Sequence, residues 1–533
     1  MKAMACFETR RDPRKCGWGV IWTWMWMALA MVAGCKTGPN PTPPRVSVPE
    51  TFRAATPVAM GGAVSAETLA TWWKVFGDAT LDRLMEEAAR ANLDVRVAQS
   101  RVREARALRG VVRSGLFPTV DASGSYTRNR SSENTIQGRQ LGGIGEELEQ
   151  DFFSAGFDMN WEIDVFGGRR RADEAALAEV GAAEESRRDV LVGILAEVGA
   201  AYLELRGAER QLAVARDHLV AQEQTVLLTR DRFSAGLTSE LDVAQAGAQV
   251  ATTRAQIPPL EEARQRALHR LGVLTGKAPG DWATVLEAPT GLPLAAPGVP
   301  VGLPSDLLRQ RPDIRRAERE VAAAGARVGV ATAELFPKFY LTGAAGLQSV
   351  AAEDFALGGS RFWSLGPSLR WPVFQAGRIR RQIRAENARH EQALLRYEQV
   401  VLVALEEVEN ALVAFGQEQE RRRALAEAEV AVRRTVALAN ERYRSGLVDF
   451  LDVLEAERSL LAAQDSLVRS ERQLGQNLVR LYRALGGGWT DRAESGTLSR
   501  LPAAPASHVA IFPHPAHGIF RNCAYRIQPH TLI

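Results

Sequence analysis

The scarce reactive side chains of this sequence are its four cysteines and seven histidines, and their spacing decides what chemistry they can do. Cys6 and Cys16 precede an apolar run from Val20 to Val32, and Cys523 stands alone near the C-terminus. Neither a disulfide framework nor a Cys-x-x-Cys metal site can be built from them. Cys35 is different. It follows Val32-Ala33-Gly34 at the end of the apolar run, the lipobox pattern in which a signal segment is removed and the exposed thiol is acylated. His508, His514, His517 and His530 fall in an aperiodic tail, which reads as a disordered or read-through extension and not as a metal site. The sequence has no phosphate-binding glycine loop, no His-Glu-x-x-His and no nucleophile elbow. Its many carboxylates lie on charged helical faces, so neither an enzyme nor a bound cofactor is expected.

The carboxylates of interest are those inside a repeated motif. Tyr443 to Ala456 reads Tyr-Arg-Ser-Gly-Leu-Val-Asp-Phe-Leu-Asp-Val-Leu-Glu-Ala, and Phe233 to Ala246 reads Phe-Ser-Ala-Gly-Leu-Thr-Ser-Glu-Leu-Asp-Val-Ala-Gln-Ala. In register these align Phe233 with Tyr443, Gly236 with Gly446, and Leu241-Asp242-Val243 with Leu451-Asp452-Val453. Each copy has the form of a helical hairpin tip. The glycine suits the left-handed residue that ends one helix, and Ser239 or Asp449 suits the N-cap of the next, with an acid three residues on. For Asp449 and Asp452 capping is a sufficient reading. Glu455, one turn after Leu451, fits a solvated helix face as well as it fits a site.

Two such hairpins about 210 residues apart imply tandem repeats of one architecture. Arg10, Arg11, Arg14 and Lys15 followed by the short apolar run give residues 1–34 the form of a signal peptide, and its removal leaves the remaining charges balanced. A chain with formal net charge +3 lacks the basic field that nucleic acid would require. Lys36 stands where an aspartate would retain a lipoprotein in the inner membrane, which points the mature chain to the outer one. A proline-rich leader follows at 35–65, with Pro39, Pro41, Pro43, Pro44 and Pro49 favouring an extended chain. The expected boundaries are a first repeat at 66–277, a linker at 278–304, a second repeat at 305–488 and the tail at 489–533.

Within each repeat a helical stretch (Leu81 to Val112 in the first) ends at Leu-Phe-Pro, at 116–118 and 335–337, because proline disfavours helix at the preceding residue. Period-two segments follow. From Phe153 to Val165 the odd positions are all apolar and the even ones polar or glycine, and Val120, Ala122, Gly124 and Tyr126 alternate more weakly. The second repeat has Phe339, Leu341, Gly343, Ala345 and Leu347, then Trp363, Leu365, Leu369, Trp371 and Val373. These predict four strands long enough to cross a bilayer at a tilt. Long helices come next, from Arg169 to about Ser234 and, in the second repeat, along a coiled-coil seam of Leu394, Tyr397, Val401, Ala404, Val408, Ala411 and Phe415. Pro258-Pro259 predicts a kink or break in the first return helix.

Four strands cannot close a membrane barrel, and open edges are not tolerated in lipid, so the chain is expected to oligomerise. The repeat, the Leu-Phe-Pro segments and Leu303-Pro-Ser-Asp-Leu-Leu-Arg-Gln-Arg-Pro-Asp-Ile-Arg-Arg-Ala-Glu318 resemble the TolC-like outer-membrane efflux family over residues 35–488. The lipobox places the resemblance in the lipoprotein subfamily of resistance-nodulation-division systems, the NodT type. The resemblance implies a mainly α chain with a membrane β-barrel part: a homotrimer with a twelve-stranded barrel and a periplasmic α-barrel of long coiled-coil hairpins. It implies partners as well, namely a periplasmic adaptor (membrane fusion) protein, an inner-membrane pump and outer-membrane lipid. It further implies a periplasmic constriction made by Leu451, an apolar ring, and Glu455, an acidic ring, with Tyr443, Asp449 and Asp452 near it and Gly236, Leu241 and Asp242 at the equivalent tip. Relatives carry an arginine where this chain has Val448, so an arginine latch at that position is not expected. The competing readings are a purely structural coiled-coil lipoprotein and a channel serving another export or secretion system.

Overall fold

The alternating segments are the strands. The computed structural model describes residues 36–40, 44, 46–53, 66–136, 139, 148–286, 291–293 and 304–490. In it β1 (Thr119–Arg130), β2 (Glu149–Ile163), β3 (Lys338–Ser349) and β4 (Arg361–Arg370) form one antiparallel sheet in the order β1-β2-β3-β4. Register carries the pattern across the sheet. Val120, Ala122, Gly124 and Tyr126 pair with Met159, Phe157, Ala155 and Phe153, and Met159 and Phe157 pair in turn with Gly343 and Ala345. Those two pair with Leu365 and Trp363. Residues opposite one another in an antiparallel pair point to the same side, so these rows make one face apolar, with Arg128, Asp151 and Arg361 at its far end. The other face carries rows such as Thr119, Asn160, Thr342 and Gly366. β2 ends two residues earlier than the alternation suggests. Asp164 turns back to accept the backbone N–H of Arg170 at 2.9 Å, which begins the helix.

The two tryptophans that the repeat aligns do the same job. Trp161 Nε1 donates to the carbonyl of Leu116 at 3.0 Å, and Trp371 Nε1 to that of Leu335 at 3.2 Å. Each indole therefore ties a strand to its Leu-Phe-Pro segment, satisfying a carbonyl that proline leaves without a helical donor.

The longer helices among the described residues are α1 (Ala79–Ala91), α2 (Leu93–Ser114), α3 (Gly168–Ser234), α4 (Glu240–Leu274), α5 (Pro312–Ala333), α6 (Arg378–Arg444) and α7 (Phe450–Ala484). The repeat is exact in length, because α3 and α6 have 67 residues each, and α4 and α7 have 35 each. At 1.5 Å per residue the long helices reach about 100 Å from the sheet. The expected seam is real: Tyr397, Val401, Ala404, Val408, Ala411 and Phe415 are buried.

Two expectations are corrected. The helical stretch from Leu81 to Val112 is not one helix but α1 and α2, divided at buried Asn92. The Asn92 side chain accepts from Asp94 and Val95 N–H and donates to the Leu274 carbonyl at 2.8 Å, so it caps one helix while closing another. The Pro258-Pro259 pair does not interrupt α4. Both prolines and residues 254 and 255, whose carbonyls lose their donors, are exposed, so water takes the missing hydrogen bonds.

Midway along the helices both repeats share one apolar core containing Trp72, Leu81, Leu84, Leu203, Leu271, Ile314, Val401 and Tyr482. Trp72 stacks on Tyr482 at 5.5 Å. Each fully buried large side chain of this kind contributes about 1.5–3 kcal/mol. The Arg-Pro-Asp motif is part of this joint. Arg311 donates to the Ala484 carbonyl at the end of α7 at 2.8 Å and pairs with Asp313 and Glu407. Burial pulls the Arg311 pKa down, yet these acceptors outweigh it and leave the pKa raised. Beyond α7, Trp489 lies between the guanidinium groups of Arg188 and Arg315, 4.4 and 4.9 Å away.

Candidate functional site

Both hairpin tips turn in the same way. Leu237 N–H donates to the Arg232 carbonyl at 2.9 Å and Leu447 N–H to that of Arg442 at 2.9 Å, while Gly236 and Gly446 bond three residues back. Gly236 has φ 74° and Gly446 φ 71°, a left-handed conformation that a side chain would strain. The glycines therefore stand where the sequence placed them.

The starts of the return helices differ. Ser239 forms a full capping box with Asp242. Burial pushes the Asp242 carboxyl up, but hydrogen bonds from Thr238 and Ser239 outweigh it and hold the group below the usual carboxylate range. Asp449 occupies the N-cap of α7 and its side chain makes no capping bond. The carboxylates of Asp449 and Asp452 lie exposed.

The second tip is packed on the first. Tyr443, Phe450, Val453 and Leu454 are buried with Val226 of α3 and Ala246 of α4. The rings of Tyr443 and Phe450 are 5.7 Å apart. Burying 450, 453 and 454 orients α7, and that orientation leaves Leu451, Asp452 and Glu455 on the opposite, exposed side. Leu451 and Glu455 are four residues apart and so stand one above the other, about 6 Å along the axis. Leu451 is 57% exposed. At the first tip Leu241 is likewise exposed.

One contact escapes sequence reasoning. Arg232 of α3 lies over the Tyr443 ring at 4.6 Å, and its Nη1 donates to the Tyr443 carbonyl at 3.3 Å. The repeat pairs Arg232 with Arg442, so nothing local distinguishes the arginine that makes this contact from the one that does not. The cation reaches the tyrosine from the other hairpin.

Above the tip the hairpins meet through polar side chains. Arg458 Nε donates to Gln249 Oε1 at 2.8 Å, His218 meets Gln464 at 2.8 Å, and Gln211 donates to Asp465 at 2.5 Å. Glu457 is buried with one acceptor contact, from the Thr225 hydroxyl at 3.3 Å, and burial pushes its carboxyl up. Gln222 Nε2 and Oε1, Arg232 Nε and Tyr443 Oη are buried without a hydrogen bond. Each such group costs about 1–3 kcal/mol relative to its hydrated state.

Among the described residues no group of three or more His, Cys, Asp or Glu could hold a metal ion, and no helix is long and apolar enough to cross a membrane. Cys35, the signal segment and residues 491–533 lie outside the described residues.

The outer membrane efflux protein family matches residues 84–277 and 303–487, one segment for each repeat. Nodulation protein T of Rhizobium leguminosarum bv. trifolii is 32% identical over 467 residues, covering 87% of this chain and 97% of that protein. The pyoverdine export outer membrane protein OpmQ of Pseudomonas aeruginosa is 34% identical over 466 residues, covering 87% of this chain and 96% of its own. The solved structure of the outer-membrane channel OprN superposes with a TM-score of 0.78 at 37% identity, covering 85% of this chain and all of that one (100%). Matched across both of its repeats, this chain belongs to the outer membrane efflux protein family.

Proposed function

We propose that three copies of this chain form an outer-membrane efflux duct whose periplasmic end is closed by Leu451 and Glu455. The observation that carries this reading is the division of α7 at its tip: Phe450, Val453 and Leu454 pack inward while Leu451, Asp452 and Glu455 stay exposed. Around a threefold axis the leucines would make an apolar collar and the glutamates an acidic one. An acidic ring favours cations and repels anions.

The sheet supports the trimer. Its four strands leave β1 and β4 as open edges, and an open edge in lipid leaves backbone groups without partners. Three copies joined edge to edge give twelve strands, whereas one copy falls short of the minimum of about eight. The apolar face supports the membrane part, with Val120, Phe157, Trp363 and Leu365 all exposed. A purely periplasmic coiled-coil lipoprotein leaves that face without a reason. Leu237 and Leu447, exposed directly after the turn glycines, support docking of an adaptor on the tips, with an inner-membrane pump behind it. The lipobox at Cys35 supports an acyl anchor in the outer membrane.

The test is single-channel recording from the purified trimer in planar bilayers. The wild type should pass small, cation-preferring currents, and Leu451→Ser/Glu455→Ala should raise the conductance severalfold and reduce the cation preference. Unchanged conductance in the double variant would remove these residues from the constriction.

A further inference from the structure

Residues 37–40 are docked at the start of α3 around one buried arginine. Arg171, in the first turn of α3, has a side chain 1% exposed. Its Nε donates to the Thr37 carbonyl at 3.0 Å. Its Nη2 donates to the Gly38 carbonyl at 3.3 Å and to Asn40 Oδ1 at 2.9 Å. Only Nη1 turns elsewhere, to Glu174 at 2.8 Å, and Glu174 also faces Lys36 Nζ at 3.6 Å. A buried guanidinium is costly unless its donors are satisfied. Here the leader supplies three of the four acceptors, two of them backbone carbonyls, so leader and arginine need each other.

Two further observations place the segment. Thr37 donates twice to the Phe166 carbonyl, from its backbone N–H at 3.2 Å and its hydroxyl at 3.1 Å, and Phe166 lies between β2 and α3. Gly38 has φ 87°, and a Cβ there would stand 2.5 Å from the Cα of Gly329 in α5. A Cβ on Gly329 would in turn meet the Arg171 side chain at 3.0 Å. The chain crosses α5 at a point where Gly38 has no room for a side chain and Gly329 has little.

The leader then continues down the helices. Val46, Val48 and Phe52 join the shared core, and Arg53 N–H donates to Glu409 at 2.7 Å. Glu409 lies about 45 Å from the start of α6 at helical rise. An extended chain from residue 37 to residue 53 spans about 50 Å, so the leader reaches it with little slack.

We propose that Arg171 is the docking residue for the mature N-terminus. It holds residues 37–40 against the strand-to-helix junction, so that the acyl chains on Cys35 enter the inner leaflet beside the barrel and not from a free tether. The proposal rests on the membrane and lipobox readings only for what the docked end carries. The docking itself is read independently.

The experiment uses a lysine-specific protease on the full-length protein in native membranes. Mass spectrometry follows cleavage of the Lys36–Thr37 bond and release of the Cys35-Lys36 fragment. Wild type should resist, and Arg171→Ala should be cut at least tenfold faster. Arg171→Lys, which keeps the charge but cannot reach three acceptors, should fall between them. Gly38→Val, which leaves the Arg171–Glu174 pair intact, should match Arg171→Ala and covers the case in which the arginine variant does not assemble. Equal cleavage in wild type, Arg171→Ala and Gly38→Val overturns the docking. If the variants are cut faster but the released fragment lacks acyl chains, the docking stands and the lipid reading fails.

Discussion

Phe233 and Tyr443 occupy the same place in the two hairpin tips, yet Phe233 is 45% exposed and Tyr443 only 4%. The first tip is closed by local chemistry, since Ser239 and Asp242 satisfy each other across one turn. The second has the same turn and the same Leu-Asp-Val, but its cap residue makes no side-chain bond. What holds it is the other hairpin, through the buried cluster around Tyr443 and the cation over its ring. A tip held by its own turn resists displacement. A tip held by a neighbour can be released by moving that neighbour, without unfolding any helix. If the proposed constriction opens, this difference makes the second tip the better place for it to do so.

Three measurements break or sharpen that contrast, taken from the largest expected effect to the smallest. Tyr443→Ala should lower the local opening free energy of the second tip by about 3 kcal/mol, the usual cost of removing a buried aromatic ring. Phe233→Ala should change the first tip by about 0.5 kcal/mol or less. Tyr443→Phe should be neutral or stabilising, because the hydroxyl it removes is buried without a partner. Hydrogen exchange resolved at the two tips reads all three, and equal effects of the two alanine variants would end the contrast.

Capping comes next. Ser239→Ala should cost about 1 kcal/mol at the start of α4, whereas Asp449→Ala should leave α7 nearly unchanged. If Asp449→Ala costs as much as Ser239→Ala, the second tip is locally capped after all and loses its claim to looseness. The same exchange experiment decides it.

The smallest effect is the response to acid, where the two hairpins should differ in sign. Burial raises the Glu457 carboxyl, so the folded state binds its proton more readily than the unfolded chain does. Its contribution is therefore most favourable below the ordinary glutamate range and is lost as pH rises through the raised value. Asp242 is lowered by its hydrogen bonds, so its contribution is present above the ordinary aspartate range and lost as pH falls through the lowered value. As pH falls through the raised value towards the ordinary glutamate range the contact around Glu457 should tighten while the first tip holds, and below the ordinary aspartate range, about pH 4, the first tip should loosen. Exchange rates corrected for intrinsic pH dependence test this, and Glu457→Gln should abolish the first part.

Much of this was legible in the residues. Period-two alternation identified the strands, the three-and-four spacing from Leu394 to Phe415 identified a packed helix seam, and paired glycines identified the turns. Each of these rests on the period of a single element. The errors have a common form. Asn92 divides a helix that the apolar spacing alone would continue, because its side chain is used twice, and one of those uses is the Leu274 carbonyl far along the chain. Pro258-Pro259 leaves α4 intact because its exposure lets water satisfy the freed carbonyls, and exposure is decided by what packs nearby. Asp449 reads as a cap by its type and offset, and only the geometry shows its carboxylate making no capping bond.

Arg232 and Arg171 mark the boundary most clearly. Each is one arginine among many on a charged helix, and its partners lie across the fold: Tyr443 for one, residues 37–40 for the other. By itself the sequence determined the elements, the duplication and the membership of the family, because these follow from local periodicity and from motifs contiguous in the chain. The tertiary structure alone decided which tip is held by its neighbour and where residues 37–40 are fastened. Those outcomes depend on which surfaces meet, and two repeats of the same architecture meet different surroundings once one is packed against the other.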